Sequence, residues 1–201
     1  GGLYVNNNAL VSFSLDNLTD VGGELQIRSN YALTSFSLDD LIAVGGFLSV
    51  YDHDLLTSFS LDSLTTSGEI GIAVNGALTS FSLDSLTNMG GALGIYENSA
   101  LTSFSLDSLG EVDGLFYISN NDALTSFSLD SLTHIGGHLE LSFNDVLTSF
   151  SLDSLTHIGS ITIYRNRTLC QSLVEAFMDG MEALGWSGET YTSDNGDCDE
   201  D

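Results

Sequence analysis

Apolar and polar residues alternate along this chain in a unit of 22 or 23 residues. Each unit contains a version of Leu-Thr-Ser-Phe-Ser-Leu-Asp-Ser-Leu, in which Phe and the next Leu alternate with Ser and Asp. Such a period is typical of a solenoid, in which each coil buries its apolar edge by stacking on its neighbours. The phenylalanines that mark the units are Phe13, Phe36, Phe59, Phe81, Phe104, Phe127 and Phe150.

The other half of each unit alternates as well. It reads Gly-Gly-x-Leu-x-Ile-x-x-Asn, for example at residues 22–30 and 90–98. Alternation over about five residues predicts a half-buried strand. The Ser-Phe-Ser-Leu segment predicts a second strand, with Phe and Leu inward and Ser, Ser and Asp outward. We therefore expect two strands in each coil, joined at corners rich in Gly and Asn.

An asparagine follows the first strand in nearly every unit. Buried polar groups are hydrogen-bonded, so its amide is expected to bond the backbone of its own coil and of an adjacent coil. His53 interrupts the series, and Asn7 or Asn8 begins it. The predicted structural ladder is Asn30, Asn75, Asn98, Asn121, Asn144 and Asn166.

The segment Leu93–Leu101 resembles the Leu-x-Leu-x-x-Asn-x-x-Leu core of leucine-rich repeats. With Gly-Gly before it and Leu-x-x-Phe-x-Leu after it, the unit is most similar to the receptor L-domain variety, which occurs in growth-factor receptor ectodomains and secreted microbial surface proteins. The resemblance covers roughly residues 1–169. It implies an all-β, right-handed parallel β-solenoid of about seven coils with a binding or scaffolding role. Phe where Leu is usual is a departure from the family pattern.

A different pattern follows Asn166. Apolar residues in 171–184 have helical spacing, with Gly185 placed as a C-terminal cap, and a short strand is expected near 189–192. The helical stripe would cover the last coil, and it consists of Leu173, Val174, Phe177, Met181 and Leu184.

Cys170 and Cys198 bracket this helix and are the two cysteines of the chain. We expect them to form a disulfide, which indicates an oxidising, extracellular compartment or a cell surface. The predicted domains are a repeat solenoid at 1–169 and a disulfide-closed helical cap with an acidic tail at 170–201.

Composition adds a large negative charge, because 28 Asp and Glu face 3 Lys and Arg, a formal net charge of -25. Such a surface repels nucleic-acid phosphates and anionic lipids and attracts cations. We therefore expect no nucleic-acid partner. A membrane span needs about 18 consecutive apolar residues, and no such run occurs, so membrane insertion is not expected. Gly1 falls within a repeat, so we expect the chain to be a mature or trimmed part of a longer protein.

The outward positions divide the solenoid into two faces. The Ser-Phe-Ser strands form a uniform face, with the same serines and an aspartate in almost every coil. Its aspartates after Asp16 are Asp39, Asp62, Asp84, Asp107, Asp130 and Asp153. The Leu-x-Ile strands form a varied face whose outward residues differ between coils. Its exposed aromatic candidates for ligand binding are Phe47, Tyr51, Tyr96, Tyr117 and Tyr164.

These faces lead to two hypotheses. In the first, the varied face binds a protein or glycan at a cell surface, because aromatic side chains anchor such interfaces. In the alternative, the uniform face is a lattice that binds ice, a mineral or further copies of the chain in a filament. The sequence contains no phosphate loop, cysteine cluster or Ser/His/Asp arrangement, and flat sheets lack a concave pocket. We therefore expect no enzymatic activity.

The aspartate column needs an explanation, since stacked carboxylates repel one another. Each carboxylate is expected either to accept backbone N–H groups in an Asx turn or to share a bridging cation such as Ca²⁺ with the next coil. His134 and His157, one coil apart with His138 nearby, are a second candidate metal site. Asn17 and Asn166 begin glycosylation sequons.

Overall fold

The computed structural model describes residues 1–198, which form a parallel β-solenoid of about seven coils with a C-terminal helix. This confirms the predicted fold class. In chain order the elements are β1 Leu3–Val5, β2 Ser12–Ser14, β3 Asp20–Val21, β4 Leu25–Arg28, β5 Ser35–Ser37, β6 Ala43–Tyr51, β7 Ser58–Ser60, β8 Thr66–Ala73, β9 Ser80–Ser82, β10 Asn88–Met89, β11 Leu93–Tyr96, β12 Ser103–Ser105, β13 Glu111–Val112, β14 Phe116–Ser119, β15 Ser126–Ser128, β16 His134–Ser142, β17 Ser149–Ser151, β18 His157–Tyr164, α1 Gln171–Ala183 and β19 Thr190–Ser193.

Each coil contributes strand segments to three sides of the solenoid. The varied-face strands pair in parallel, each Leu-x-Ile in register with the next, as in Leu25 with Leu48 and Ile27 with Val50. The uniform-face strands pair as β2–β5, β7–β9–β12 and β15–β17. A third side consists of β3, β10, β13 and the first residues of the long strands. We predicted only a corner there, because two residues are too few for a periodic signal.

The core runs the length of the solenoid and contains the inward Leu, Ile, Val and Phe side chains of every coil. The glycine corner is explained by close contact between coils. A Cβ on Gly137 would lie 2.5 Å from the carbonyl oxygen of Gly114. Since real Cβ atoms do not approach that closely, a larger residue would push the stacked coils apart.

Two elements of the C-terminal segment cover the last coil. Helix α1 buries Val174 and Met181, and its Phe177 ring meets Phe150 edge to face at 5.3 Å. Strand β19 pairs in parallel with β18 and extends the varied-face sheet. The helix thus covers the end of the phenylalanine column, while the strand covers the edge of the main sheet.

The end of α1 partly corrects the predicted stripe. Gly185 adopts φ 90°, as its capping role requires. The N–H of Gly185 donates to the Glu182 carbonyl and the N–H of Trp186 to the Met181 carbonyl, a Schellman pattern. Leu184 is the C-cap residue and is 60% exposed. The helical spacing misplaced it, because the chain leaves the helix before Leu184 can turn towards the core.

The disulfide between Cys170 and Cys198 is present, with a Cα–Cα distance of 5.3 Å. It closes the segment that contains α1 and β19. The boundary between solenoid and cap at residue 169 stays a prediction, since β19 is hydrogen-bonded as a further strand of the main sheet. Most of the predicted acidic tail, residues 199–201, lies outside the described residues.

The asparagine ladder is buried and continuous over much of the solenoid. Asn121 illustrates its geometry: Nδ2 donates to the carbonyl of Ile95 in the preceding coil at 3.0 Å. Its Oδ1 accepts the backbone N–H of Asn98 at 3.2 Å. Each amide therefore ties two coils together at a corner that the strand ladders do not reach. All six predicted asparagines of the ladder have fully buried side chains: Asn30, Asn75, Asn98, Asn121, Asn144 and Asn166.

The ladder extends further than predicted at one end. At the first coil, Asn7 donates its N–H to Asn30 Oδ1. At the last, Asn195 Nδ2 donates to the carbonyl of Ile163 and its Oδ1 accepts the N–H of Asn166. The cap therefore repeats the corner chemistry of a coil. The sequence signal was weak, because the spacing of 29 residues from Asn166 breaks the period.

His53 occupies a ladder position and partly replaces an asparagine. Its Nε2 lies 3.1 Å from the carbonyl of Ile27, and its Nδ1 accepts the N–H of Asn30 at 3.3 Å. Because only an unprotonated Nδ1 can accept the Asn30 N–H, this arrangement assigns a neutral ring protonated at Nε2, with the Asn30 carbonyl also 3.4 Å from Nδ1. The ring offers no amide N–H to the next coil, and Asn75 Oδ1 is left buried without a hydrogen-bond partner among residues 1–198.

Replacing His53 by asparagine is expected to raise the free energy of unfolding by about 1–2 kcal/mol at pH 7, because the orphaned Asn75 oxygen regains a donor. Burial lowers the pKa of His53 from its ordinary value of 6.5, although the backbone carbonyls and the neighbouring Asp52 and Asp54 act in the opposite direction. The unfolded protein therefore binds a proton before the folded protein does, and wild-type stability falls as the pH drops below about 6.5.

Urea denaturation at pH 7.5 and pH 5.5 tests this expectation. The advantage of His53→Asn should grow at the lower pH, because the variant has no ring to protonate. His53→Ala is the control, since it removes the titrating group without restoring the ladder and should lower stability at both values. An advantage of His53→Asn that is the same at both pH values would contradict the assigned protonation.

Candidate functional site

The phenylalanines of the uniform face form one continuous stack. Ring centroids of successive coils lie between 5.3 and 5.9 Å apart, from Phe13 to Phe150, with nearly parallel planes. Parallel in-register strands place identical side chains directly above one another, so the stack follows from the repeat. A smaller side chain in one coil would leave its two neighbours without a partner. This accounts for the presence of Phe in every coil without reference to a ligand.

The aspartates of the uniform face bond the neighbouring coil. In four pairs of coils, the second serine of one coil donates its hydroxyl to Oδ1 of the aspartate in the preceding coil. Asp130 accepts from Ser151 at 2.6 Å. The same bond joins Asp16 to Ser37, Asp62 to Ser82 and Asp84 to Ser105. The carboxylates are thus held by hydroxyls of the next coil, a partner that we did not predict from the sequence.

Hydrogen bonds lower the pKa of three of these aspartates. Serine hydroxyls on both sides lower the pKa of Asp16 and Asp130 from the ordinary value of 3.8. Around Asp62, partial burial opposes ionisation, but Ser60, Ser82 and the backbone N–H of Asp84 together lower the pKa. Hydrogen bonding to the charged form explains each decrease. These three aspartates are therefore ionised acceptors used within the protein.

The structure gives no support to a metal centre among the residues that it describes. No group of three or more His, Cys, Asp or Glu side chains in residues 1–198 is placed to hold a metal ion. His134 and His157 stack face to face at 4.5 Å, and His138 Nδ1 lies 2.8 Å from Ser160 Oγ. The imidazoles of the candidate site therefore contact one another or a hydroxyl. Ca²⁺ at the aspartate column stays a prediction that no observation tests.

The varied face brings four of the five predicted aromatic residues together within four successive coils. We call Phe47, Tyr51, Tyr96 and Tyr117 the aromatic patch; all four are half-buried. Tyr96 and Tyr117 lie 5.4 Å apart, tilted by 37°. Since the strands are in register, the patch spans the segments from β6 to β14. It is a single surface formed by residues distant in sequence.

Small residues form the floor beneath these rings. Gly94 lies under Tyr117, and a Cβ there would be 2.2 Å from the ring. Gly71 lies under Phe47, where a Cβ would be 3.0 Å from the ring. Ala73 stands between Tyr51 and Tyr96 in the register and is only 1% exposed. The rings therefore lie over the sheet instead of standing away from it, and their orientation is fixed before any ligand arrives.

The tyrosines of the patch lie in an acidic environment. Burial raises the pKa of Tyr117, with further increases from Tyr96, Glu69 and Glu140. Burial also raises the pKa of Tyr96, as do Tyr51 and Glu97, while Arg28 has the opposite effect. Both hydroxyls therefore stay protonated and uncharged at neutral pH. The patch combines neutral aromatic rings with surrounding carboxylates.

Tyr164 belongs to a second group, at the C-terminal end of the same face. Its ring meets Phe143 edge to face at 5.1 Å and Tyr191 at 5.8 Å. Arg165 lies over the Phe143 ring at 5.3 Å. A cavity of about 460 Å³ adjoins this group and is lined by Phe143, Arg165 and several Asp and Asn side chains. The arginines there form exposed ion pairs with Asp194 and Asp145.

The sequence analysis did not identify every residue of the aromatic patch and of the Tyr164 group. Phe143 precedes a ladder asparagine and has φ 54°, so it lies at a corner outside the alternating pattern. Tyr191 lies in β19, which the repeat period does not mark. Gly71 and Gly94 matter through the space that they leave, which only the structure shows. The position before each ladder asparagine was a signal available in the sequence.

Two further observations bear on the surroundings of the sites. Asn166 is fully buried in the ladder, so its sequon is inaccessible in the folded protein, whereas Asn17 is exposed. Among residues 1–198, no helix has both the length and the apolar character needed to cross a membrane.

A comparison with protein-family models, with curated proteins and with solved structures found no match.

Proposed function

We propose that this chain is an extracellular recognition or adhesion module that binds a protein or glycan on its varied face and catalyses no reaction. The observation that carries the proposal is the contrast between the two faces. On the uniform face, four of the seven aspartates accept a serine hydroxyl from the next coil. The varied face instead presents aromatic rings to solvent over a floor of small residues. Half-buried, oriented aromatic rings are typical anchors of binding surfaces.

The proposal includes membership of the leucine-rich repeats of the receptor L-domain type. The repeated Leu-x-Ile-x-x-Asn motif, the parallel solenoid and the buried asparagine ladder support it. The disulfide supports an extracellular location, because such bonds persist in oxidising compartments. The negative charge fits a partner that is neither a nucleic acid nor an anionic membrane.

The second candidate function is a surface lattice on the uniform face. A shallow groove of about 740 Å³ runs along the Ser-Phe-Ser strands from Ser35 to Ser105 and would suit a repeating ligand or a second copy of the chain. The hydroxyls bonded to aspartates weigh against this candidate, because an external ligand would have to displace those bonds. Ionised carboxylates also hold liquid water strongly, which disfavours ice.

Replacing Tyr96 and Tyr117 by alanine is expected to weaken ligand binding at least tenfold, since truncating an anchor residue costs about 1–2 kcal/mol or more. The immobilised protein would be screened against a glycan array and a displayed library of extracellular protein fragments, and affinities for hits measured by biolayer interferometry. The control exchanges Ser103 and Ser126 of the uniform face for glutamine, which should leave affinity unchanged. Loss of binding, or of adsorption to ice or mineral, in the serine variant alone would favour the lattice.

A further inference from the structure

Two arginine side chains of this protein make cation–π contacts with aromatic rings on or beside the varied face. Arg28 places its guanidinium over the ring of Tyr51, 5.1 Å from the centroid, and Arg165 lies over Phe143 at 5.3 Å. Both rings belong to the groups on the varied face or at its edge. A cation over an aromatic face is attracted by the ring quadrupole. Two of the three basic residues of this protein therefore adopt the same arrangement.

Among residues 1–198, no arginine side chain lies over either ring of the Tyr96–Tyr117 pair. The protein contains 3 Lys and Arg in total. Arg28 and Arg165 stack on other rings, and Arg167 pairs with Asp145 at 3.3 Å. The pair is thus half-buried and carries no stacked arginine in the described part of the chain, while Arg28, which stacks on Tyr51, acts on Tyr96 only through its charge.

Carboxylates lie around the Tyr96–Tyr117 pair. Glu140 pairs with Tyr117 in the strand register, and Glu97 directly follows Tyr96. Glu69 lies two residues before Gly71, the register partner of Gly94 beneath Tyr117. All three carboxylates raise the pKa of the neighbouring tyrosine. Glu69 and Glu97 are exposed, so they can pair with an incoming group. Planar guanidinium groups suit this combination, because they stack on rings and also donate to carboxylates through a rigid fork.

We propose that the aromatic patch is a docking site for an arginine-bearing basic segment of a partner protein, which stacks guanidinium groups on Tyr96 and Tyr117 and pairs them with Glu69 and Glu97. This inference rests on the proposed recognition function and names the class of its ligand. Charge complementarity carries the choice, since a net charge of -25 attracts cationic partners and repels anionic ones. A neutral glycan can stack on the same rings and donate hydroxyl groups to the carboxylates, but it leaves their negative charge uncompensated, whereas a guanidinium group neutralises it.

The test uses labelled peptides of one length, in which glycine and serine alternate with arginine, lysine or glutamine. Binding to the whole chain is measured by fluorescence anisotropy at 150 mM NaCl. We expect the arginine peptide to bind more tightly than the lysine peptide, and the glutamine peptide not to bind. Tyr96→Leu combined with Tyr117→Leu should weaken arginine-peptide binding at least tenfold. Equal binding of the arginine and lysine peptides would overturn the stacking arrangement.

Two matched variants separate the patch from the general negative charge. Glu69→Gln with Glu97→Gln removes two charges beside the rings and should weaken binding at least fivefold. Asp107→Asn with Asp153→Asn removes two charges from the uniform face and should change binding less than twofold. An equal loss of affinity in the two variants would show that the peptide is attracted only by the net charge of the protein, and this would overturn the proposal.

A third variant moves a ring without removing any chemical group. Gly94→Ala places a methyl group where the outer end of the Tyr117 ring lies, so the ring must swing away while the sheet stays intact. Binding of the arginine peptide should fall about as far as in the tyrosine variant, with an unchanged far-UV circular dichroism spectrum. Unchanged binding would contradict the role of the ring orientation.

The outcomes distinguish this inference from the proposed function. A panel of neutral oligosaccharides is assayed with the same variants. Tyrosine-dependent binding of an oligosaccharide, without tyrosine-dependent binding of the arginine peptide, would overturn the basic ligand and leave recognition by the varied face standing. If neither the peptides nor the oligosaccharides respond to the tyrosine variants, the basic ligand is overturned, and the proposed function fails as well if the library screen also yields no tyrosine-dependent partner.

Discussion

Replacing Asn121 by alanine is expected to lower the free energy of unfolding by about 3–5 kcal/mol, since each buried polar group left without a partner costs about 1–3 kcal/mol. The amide bonds the carbonyls of Ile95 and Ser119, and its oxygen accepts the backbone and side-chain N–H groups of Asn98. Alanine removes all four bonds in the middle of the solenoid, where water cannot replace them. Because coils are stable only through their neighbours, the loss is felt across the adjoining coils.

Urea denaturation monitored by far-UV circular dichroism measures this effect. Asn88→Ala is the matched control, because Asn88 is exposed in β10 and should change stability by less than about 0.5 kcal/mol. Hydrogen exchange should locate the Asn121→Ala defect in β11 and β14, ahead of the terminal strands. A loss below about 1 kcal/mol would mean that neighbouring groups satisfy the freed atoms and that the ladder is not a main support of the fold.

Removing the disulfide by the double change Cys170→Ser and Cys198→Ser is expected to destabilise the cap by about 3–4 kcal/mol. This value follows from the loop-closure entropy of a 28-residue separation. The bond holds β19 against β18 and α1 against the last phenylalanine. Without it, the cap should unfold at lower urea than the central coils, because each coil contacts only its neighbours.

The fluorescence of Trp186 reports the unfolding of the cap. Trp186 is the one tryptophan of the chain, and its indole N–H donates to the Ile158 carbonyl at 2.8 Å. In the variant, the fluorescence transition should precede the circular dichroism transition. In the oxidised wild type the two should lie closer together. Coincident transitions in the variant, at the wild-type midpoint, would show that β19 and α1 stay docked without the covalent link.

The proposed binding surface depends on this rigidity. The ladder, the phenylalanine stack and the serine–aspartate bonds all join one coil to the next. They hold the strands of the aromatic patch in fixed register, so its rings need little further ordering when a ligand binds. A preorganised surface of this kind gains affinity because less conformational entropy is lost on association.

The sequence alone was sufficient for the solenoid, its strands on two sides, the buried asparagines, the helix and the disulfide. Each was readable because it depends on a period or a spacing: alternation for strands, 22 or 23 residues for coils, and helical spacing for α1. The position of Leu184 was wrong because a helix end depends on how the chain leaves the core. The third side of each coil and the extension of the ladder to Asn195 were missed because neither has a period long enough to detect.

Only the tertiary structure decided which side chains meet. The partner of four of the aspartates is a serine hydroxyl 20 or 21 residues away, as in Asp130 and Ser151, and no local pattern states that pairing. The same holds for Gly94 beneath Tyr117 and for the unsatisfied oxygen of Asn75 beside His53. A repeat specifies what each coil contains, because burial and strand geometry act within the coil. Contacts between coils depend on register and on the space that each neighbour leaves, and these arise only when the coils are stacked.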